Sequence, residues 1–344
     1  MLTLVAEGRV PVFGELKGNA EAPLGSPDAP RVECSELGRA ILRDEIGKMR
    51  QHYPQVEVWK VCIMPDHIHM IVRVNEDLAE KKHLGRMVAG FKGGCSKAAM
   101  RLKTMDGRPW NGGRGAHDGP DGDGSSNTVL SSGATAPSSV ATVPLPSGKG
   151  RVKVKPLFEP GYNDKILLHE GQLDNWKAYL DDNPRRLLLK RQNPQLFTVL
   201  YGMEVAGHRC QIVGNRFLLD VPDKVAVIVH RRYTDIENTR LREEWLACGE
   251  RGGVLVSAAI SPKEKEVLRE AMNRGYRIIL LRENGFPNLY KPSGESFFAC
   301  SEGLLLQISP WEYHMEKNTI TRAQCLELNT MAERIVSNSH FFSL

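Results

Sequence analysis

Two histidines separated by one residue, His67 and His69, have a type and spacing that suit metal binding. The run around them, 58–74, is rich in valine and isoleucine, which is typical of a buried strand, here interrupted at Pro65. Because strand side chains alternate between the two faces of a sheet, both imidazoles project from one face while Ile68 points to the other. The pair therefore forms a platform for a divalent ion, although this spacing alone is more often a polar pair across a strand.

A second stretch, residues 171–190, supplies a phenol and a side-chain amide. Its apolar residues recur at near-helical spacing, so Tyr179 and Asn183 lie one turn apart on a shared helix face. Pro184 disfavours helical geometry at the residue before it, which predicts that the helix ends or kinks at Asn183. The stretch can thus bring a nucleophile and an amide oxygen to one point. Taken alone, such a pair is typical of an ordinary helix surface.

Together the two stretches resemble the HUH single-tyrosine transposases, and in particular the REP-associated tyrosine transposases. The resemblance rests on four segments that occur in the family's order: residues 64–69 (MPDHIH), 89–97 (AGFKGGCSK), 161–164 (GYND) and 179–184 (YLDDNP). It extends over about residues 2–105 and 150–190. The combination of the four segments is far more specific than any one of them.

The resemblance implies an α+β HUH nuclease domain, built from an antiparallel sheet with helices, that cleaves and rejoins single-stranded DNA near hairpins. It implies that Tyr179 is the catalytic nucleophile and that His67 and His69 bind a divalent metal. Asn183 completes the metal site, where many relatives have glutamine. The expected intermediate is a 5′-phosphotyrosine, which keeps the energy of the phosphodiester bond for strand rejoining.

The chemistry of these residue types fits that expectation. A phenol has an ordinary pKa near 10, so it is a weak nucleophile at neutral pH unless developing negative charge is stabilised. A divalent ion beside it supplies that stabilisation. Imidazole ligands suit later transition metals and Mg²⁺ prefers oxygen, so the ligands favour Mn²⁺, while the resemblance allows Mg²⁺ or Mn²⁺.

DNA contacts are expected from a predicted helix at 84–102 and from one further aromatic residue. Basic side chains neutralise phosphates and an aromatic ring can stack on an unpaired base, although a charged helix face is more often simply solvated. Tyr162 lies in a turn rich in Gly, Asn and Asp, and it is both a candidate for base stacking and the alternative nucleophile. The expected DNA-binding residues are Arg86, Phe91, Lys92, Lys97, Arg101 and Tyr162.

The elements that position these residues can also be predicted. Residues 2–16 indicate a strand that starts almost at Met1, which suggests that a residue or two are missing upstream. A loop follows at 18–30, and 35–53 has the spacing of an amphipathic helix. Residues 106–149 are rich in Gly and Ser with few large apolar side chains, which predicts a disordered insertion. The catalytic domain is thus expected at 1–105 and 150–192.

Residues 196–344 have the pattern of a separate α/β Rossmann-like parallel-sheet domain. Short apolar runs at 225–229, 253–257 and 277–281 alternate with helical stretches, which is typical of parallel strands buried on both faces. A further strand at 303–308 and a final helix at 322–336 are also expected. The pattern weakly resembles DNA-processing protein A and lysine-decarboxylase-like modules, but no G-X-G-X-X-G fingerprint follows any strand.

Ligands of open α/β sheets bind at the carboxyl ends of the strands, where Arg231 and Arg232 are candidates to hold a phosphate or DNA. A solvated strand end is the commoner interpretation of such a pair. Two other functions therefore stay open. The chain can be a domesticated DNA-binding or regulatory protein without turnover, or its C-terminal domain can carry the main activity as a nucleotide-binding module.

Composition sets the remaining expectations. A chain of 344 residues is long enough for two domains, and its net charge of +5 permits a nucleic-acid partner without requiring one. The seven cysteines show no C-X-X-C spacing, which favours a reducing cytoplasm over a disulfide framework or a zinc ribbon. No apolar run suits a membrane span or a signal peptide. The expected assembly is a monomer or a homodimer.

Overall fold

The computed structural model describes residues 1–78, 83–105, 156–230, 232–288, 290–316 and 319–337. The expected disordered insertion at 106–149 and Arg231 lie outside these residues. The chain divides into two compact units, Met1–Leu188 and Leu189–Leu344. Within the described ranges no helix is both long enough and apolar enough to cross a membrane.

Unit 1 contains an antiparallel sheet and a separate hairpin. Its strands are β1 Leu2–Val5, β2 Gly14–Lys17, β3 Arg31–Cys34, β4 Val56–Ile63, β5 His67–Val74 and β6 Asn163–Asp164. Four of them form one sheet in the order β4-β5-β1-β6, with every neighbouring pair antiparallel. Strands β2 and β3 pair with each other, and the expected loop at 18–30 connects them.

The helices of unit 1 are α1 Glu36–Ala40, α2 Ile46–His52, α3 Leu84–Met105 and α4 Gln172–Gln192, and a π-helical turn, Ile41–Glu45, joins α1 to α2. The hydroxyl of Ser35 caps α1 by accepting a hydrogen bond from the Gly38 nitrogen at 3.1 Å. A Cβ atom at Gly94 in α3 would lie 2.1 Å from the carboxylate of Glu45. Glycine at this position therefore allows α3 to approach the π-helical turn closely.

The hydrophobic core of unit 1 lies on one face of the four-stranded sheet. Leu4, Ile68 and Met70 point into it and meet Met87 and Phe91 of α3. Because side chains alternate along β5, His67 and His69 point to the opposite face. The sequence prediction for the direction of these two imidazoles is thus confirmed.

A β-bulge in β4 determines which of its side chains share the histidine face. The register of β4 against β5 shifts between Val58 and Lys60, so Trp59 is the extra residue. Val58 packs in the core before the bulge, and Val61 packs against the core after it. Without the extra residue, Lys60 and Cys62 would point into the core. The bulge therefore turns both side chains to the face that carries the histidines.

Helix α4 lies over the histidine face and corrects one prediction. It runs from Gln172 to Gln192 with Pro184 inside it, so the expected end of the helix at Asn183 is wrong. Leu180 is 2% exposed and Asn183 is 7% exposed. Burial of these two side chains against the sheet outweighs the local preference imposed by proline.

Unit 2 is built on a six-stranded mixed sheet. Its strands are β7 Leu200–Val205, β8 His208–Gly214, β9 Lys224–Ala226, β10 Val254–Ser257, β11 Arg277–Leu281 and β12 Leu305–Ser309. Its helices are α5 Asp235–Glu250, α6 Pro262–Asn273, α7 Glu295–Ser301 and α8 Arg322–Ser337. The strand order is β7-β8-β12-β11-β10-β9.

The expectation of a purely parallel sheet holds for four of the six strands. Strands β9 to β12 are parallel, whereas β8 pairs antiparallel with β12 and β7 pairs antiparallel with β8. Two residues with positive φ, Ala206 at 53° and Gly207 at 82°, join β7 to β8. So short a turn permits only an antiparallel hairpin, which extends the sheet on one side.

Each face of this sheet is covered by its own core. Helices α5, α6 and α7 contribute Trp245, Leu268 and Phe297 to one core, and α8 contributes Met331 and Ile335 to the other. Alternate residues of each parallel strand belong to the two cores, which explains why these strands are continuous apolar runs in the sequence.

One buried carboxylate connects two loops of unit 2. Glu264 is 2% exposed, and its carboxylate accepts hydrogen bonds from the nitrogens of Val229 at 2.8 Å, Ile260 at 2.7 Å and Ser261 at 3.1 Å. Replacing Glu264 by alanine is expected to lower the free energy of unfolding of unit 2 by about 3 kcal/mol, because three backbone donors lose a charged acceptor.

Urea denaturation followed by tryptophan fluorescence measures this effect, with Glu266→Ala as the control because Glu266 lies exposed on the same helix. Equal stability of the two variants would contradict the assigned role of the Glu264 carboxylate.

Candidate metal and nucleophile site

A row of polar side chains crosses the sheet of unit 1 on the histidine face. The register pairs Cys62 with His69, His69 with Thr3, and Thr3 with Asn163. Directly paired residues in antiparallel strands point to the same side, so the four side chains form one line across four strands. His67 lies on the same face, one pleat further along β5.

The two imidazoles are directed at each other through their Nε2 atoms. His67 Nε2 and His69 Nε2 are 3.1 Å apart, and the ring centroids are 4.7 Å apart at an interplanar angle of 82°. His67 Nδ1 is 2.6 Å from the Asp66 carboxylate, and His69 Nδ1 is 2.9 Å from the Thr3 hydroxyl. With both Nδ1 atoms engaged, both Nε2 atoms face the same point.

This geometry fits a divalent ion. Two nitrogens bound at about 2.0–2.1 Å in adjacent tetrahedral or octahedral positions are about 2.9–3.4 Å apart. The observed separation of 3.1 Å falls in that range. A proton shared between the two rings is the other arrangement that relieves repulsion between facing lone pairs. Among the residues that the structure describes, no three His, Cys, Asp or Glu side chains group as a metal site.

Asp66 orients the first imidazole from the side opposite the candidate metal position. Burial raises the pKa of the Asp66 carboxyl, but its hydrogen bond to His67 and the charge of Arg9 lower it more, so its pKa lies below the ordinary value. Arg9 Nη1 is 3.7 Å from the carboxylate. An ionised carboxylate keeps the His67 proton on Nδ1 and leaves Nε2 free to bind a cation.

Replacing Asp66 by asparagine is expected to weaken Mn²⁺ affinity by about 10- to 100-fold, the usual effect of losing a carboxylate behind a histidine ligand. Calorimetric titration with Mn²⁺ measures the affinity, and Asp77→Asn is the matched control because Asp77 is exposed. Unchanged affinity in Asp66→Asn would show that this carboxylate does not orient a metal ligand.

Helix α4 brings Tyr179 to the imidazole pair. The ring centroids of His69 and Tyr179 are 6.2 Å apart, and the tyrosine is 38% exposed. Burial raises the pKa of the Tyr179 phenol, and the charge of Arg186 opposes this shift. The Arg186 guanidinium carbon lies 5.5 Å from the tyrosine ring centroid. A positive charge thus lies beside the phenol, whose oxygen would develop negative charge as its proton leaves.

Asn183 lies one turn further along α4, beside Cys62. It is 7% exposed, and its Nδ2 atom is buried without a hydrogen bond in the described part of the chain. The unsatisfied atom is a hydrogen-bond donor, so it fits contact with a substrate oxygen, whereas a metal ion would be bound by the Asn183 amide oxygen. Burial raises the pKa of the Cys62 thiol to about 11, so the thiol stays protonated at neutral pH.

Two polar contacts fix α4 over the sheet. Lys60 Nζ lies 2.5 Å from Asp181 Oδ1, and an Arg185 nitrogen donates to the Ala22 carbonyl at 2.5 Å. Both anchors come from α4 residues close to Tyr179 and Asn183. They hold the face that carries the phenol and the amide toward β4 and β5.

The structure assigns different roles to two of the expected DNA contacts in α3. Phe91 is 4% exposed and lies in the core, so the expected stacking on a base is corrected for this residue. Lys92 Nζ donates to the carbonyls of Glu159, at 2.7 Å, and Gly161, and burial lowers its pKa. The Lys92 ammonium therefore holds the backbone of residues 159–161, which leads to β6, against α3.

Three other basic residues of α3 that were expected to contact DNA, Arg86, Lys97 and Arg101, are exposed. The hydrogen bond to Arg43 has the largest effect in lowering the pKa of the Asp44 carboxyl, and the charge of Arg101 adds a smaller effect in the same direction. The three stay candidates for phosphate contact.

Tyr162 does not share the surroundings of Tyr179. It packs partly against the core of unit 1, and its hydroxyl is 3.7 Å from the Cβ position of Gly85 at the start of α3. Burial raises the pKa of its phenol, and Asp164 adds to the shift. Tyr162 thus has no described ring contact with the imidazole pair, which favours Tyr179 as the nucleophile.

The basic residues near the carboxyl edge of the unit 2 sheet include Arg232 and Arg282, the residue that follows β11. Arg232 is exposed there, and Ser257 is buried with its hydroxyl donated to the Val227 carbonyl at 2.8 Å. The Glu264 carboxylate accepts hydrogen bonds from the backbone nitrogens of Ile260 and Ser261, which directly precede α6. A negative charge therefore already lies beside the start of this helix.

No family profile and no curated protein matches this chain. One solved structure, which describes the single-stranded DNA binding mode of DNA processing protein A from Helicobacter pylori, aligns at 20% identity with a TM-score of 0.30. The alignment covers 40% of this chain and 65% of that chain, less than two thirds of its length. Similarity at this level does not establish a shared fold or a shared function.

Sequence patterns did not identify every residue at the site. Asp66 precedes His67 directly, but its role depends on a rotamer that only the structure provides. Thr3 reaches His69 because β1 pairs with β5 in one particular register. The bulge at Trp59 did leave a sequence signal, because the small apolar residues of β4 change from even to odd positions across it.

Proposed function

We propose that this chain is a metal-dependent endonuclease and strand transferase of single-stranded DNA, with Tyr179 as its nucleophile. The observation that supports this most directly is the pair of imidazoles, with Nε2 atoms 3.1 Å apart, next to a partly exposed phenol. The resemblance to HUH single-tyrosine transposases supplies the reaction class and the hairpin-associated substrate. A cytoplasmic location belongs to the same proposal.

In the proposed reaction, the Tyr179 oxygen attacks the scissile phosphorus and the bond from phosphorus to the 3′ oxygen breaks. The products are a 5′-phosphotyrosine and a DNA strand with a free 3′ hydroxyl, so the number of phosphate ester bonds is unchanged. Attack of another 3′ hydroxyl on the phosphotyrosine reverses the step and joins the strands. No nucleotide cofactor is needed.

The residues of the site have separate tasks. His67 and His69 hold a divalent Mg²⁺ or Mn²⁺ ion, and Asn183 completes the ligands. The chemistry that such an ion supplies is polarisation of the scissile phosphate and alignment of its oxygens. Arg186 places a positive charge beside the phenol as its proton leaves, which favours the tyrosinate over the phenol.

A covalent protein–DNA adduct tests the proposal. End-labelled single-stranded hairpin DNA is incubated with the protein and Mn²⁺, and the products are separated under denaturing conditions with and without a chelator. The proposal expects a labelled band at the mass of protein plus DNA that disappears with the chelator. Tight hairpin binding with no adduct from any hairpin pool would instead favour a domesticated DNA-binding protein.

A further inference from the structure

We infer that Trp59, with Arg73 and Lys177, forms a stacking platform for an unpaired base of a single-stranded nucleic acid. The inference deepens the proposed function and rests on it for the single-stranded DNA substrate. It names a binding element outside the candidate metal site. The platform is expected to contact bases and not the phosphate backbone.

The local backbone conformation leaves the Trp59 side chain exposed. It is the extra residue of the β4 bulge, and its contacts with Glu57, Arg73 and Lys177 place it on the histidine side of the sheet, at the edge strand. The indole is 38% exposed. Strand β4 is also the last strand of its sheet on that side, so no described strand covers it. A large ring in such a position is available to a ligand.

The indole is held in a defined orientation. Its Nε1 donates a hydrogen bond to the Glu57 carboxylate at 2.9 Å. The Arg73 guanidinium carbon is 5.4 Å from the ring centroid, and Lys177 Nζ is 5.9 Å from it. A ring fixed in this way loses little conformational entropy when a base stacks on it.

The platform is adjacent to the candidate nucleophile. Lys177 of α4 contacts the Trp59 ring and precedes Tyr179 by two residues. The next residue of β4, Lys60, pairs with Asp181, two residues beyond Tyr179. Lys177 and Asp181 are four residues apart and share one side of α4, whereas Tyr179, two residues from each, projects from another side. The indole and the phenol thus flank the same two turns of α4.

The charges around Trp59 favour recognition of a base. Lys60 is neutralised by Asp181, Lys177 lies 3.8 Å from Asp174, and Glu57 offsets the charge of Arg73. Little net positive charge is left to attract a phosphate. Stacking needs no net charge, and because every base has a flat π face it tolerates any sequence.

The test compares two single-stranded probes of equal length, an oligothymidylate and an abasic strand that has the same phosphates and no bases. Their binding to the full chain is measured by fluorescence anisotropy in the presence of a chelator, so that no cleavage occurs. The variants are Trp59→Ala, Trp59→Phe and a matched control, Phe217→Ala. Phe217 is an exposed aromatic residue, 64% exposed, with the Arg216 guanidinium carbon 5.3 Å from its ring centroid.

Trp59→Ala is expected to weaken oligothymidylate binding by about tenfold, the effect of losing one stacked base, and to leave abasic binding unchanged. Trp59→Phe keeps a ring and retains most of the affinity, which separates stacking from misfolding. Equal loss on both probes, or no loss on either, would overturn the platform. Loss on oligothymidylate with no covalent adduct in the wild type would support the platform and reject the nuclease.

Discussion

Tyr179→Phe is expected to abolish the covalent protein–DNA adduct and to reduce strand cleavage by about 10⁴-fold or more, as removal of a covalent nucleophile does in other enzymes. The change removes one hydroxyl and keeps the ring that contacts His69. DNA affinity should therefore fall by no more than about fivefold. Quantitative cleavage assays and anisotropy titrations measure the two effects separately.

Tyr162→Phe is the matched control for this variant, because both residues are partly buried tyrosines of unit 1 whose phenol pKa is raised by burial. It should cleave within a few fold of the wild-type rate. An undiminished adduct in Tyr179→Phe, or loss of the adduct only in Tyr162→Phe, would reverse the assignment of the nucleophile.

The second large effect concerns the imidazole pair. Loss of a residue that only orients a metal ligand lowers metal affinity by about 10- to 100-fold. His67→Ala and His69→Ala should each lower Mn²⁺ affinity by more than that. The reason is that each variant removes one of two nitrogens that face a single point 3.1 Å apart. Calorimetric titration of the folded variants measures the affinity without relying on DNA cleavage.

His83→Ala is the control for loss of an exposed histidine from unit 1. The double variant at His67 and His69 should bind Mn²⁺ about as weakly as the weaker-binding single variant, because a site that has lost one imidazole has already lost most of its Mn²⁺ affinity. Mn²⁺ affinity equal to wild type in both single variants would rule out a metal at this position and favour a proton shared by the rings.

Much of the secondary structure of the chain was predictable because it depends on local patterns. The period of two placed His67 and His69 on one face, and the capping residue Ser261 with Pro262 set the start of α6. Long-range pairing was not predictable in the same way. The contact between Thr3 and His69 depends on a strand register that joins residues distant in sequence.

Two errors had identifiable physical causes. Pro184 lies inside a continuous helix because burial of α4 against the sheet outweighs the local preference of the preceding residue. Phe91 was expected at the surface because basic residues surround it. Its spacing of four residues from Met87 and from Cys95, both buried, is the signal that places it on the core face of α3.

Identification of the residue that becomes linked to DNA tests the central claim most directly. Wild-type protein is incubated with single-stranded hairpin DNA and Mn²⁺, the adduct is digested with a protease and a nuclease, and the modified peptide is sequenced by mass spectrometry. The account predicts a nucleotide joined through its 5′ phosphate to Tyr179. A nucleotide on Tyr162 or on any other residue, or no modified peptide from any hairpin, would contradict it.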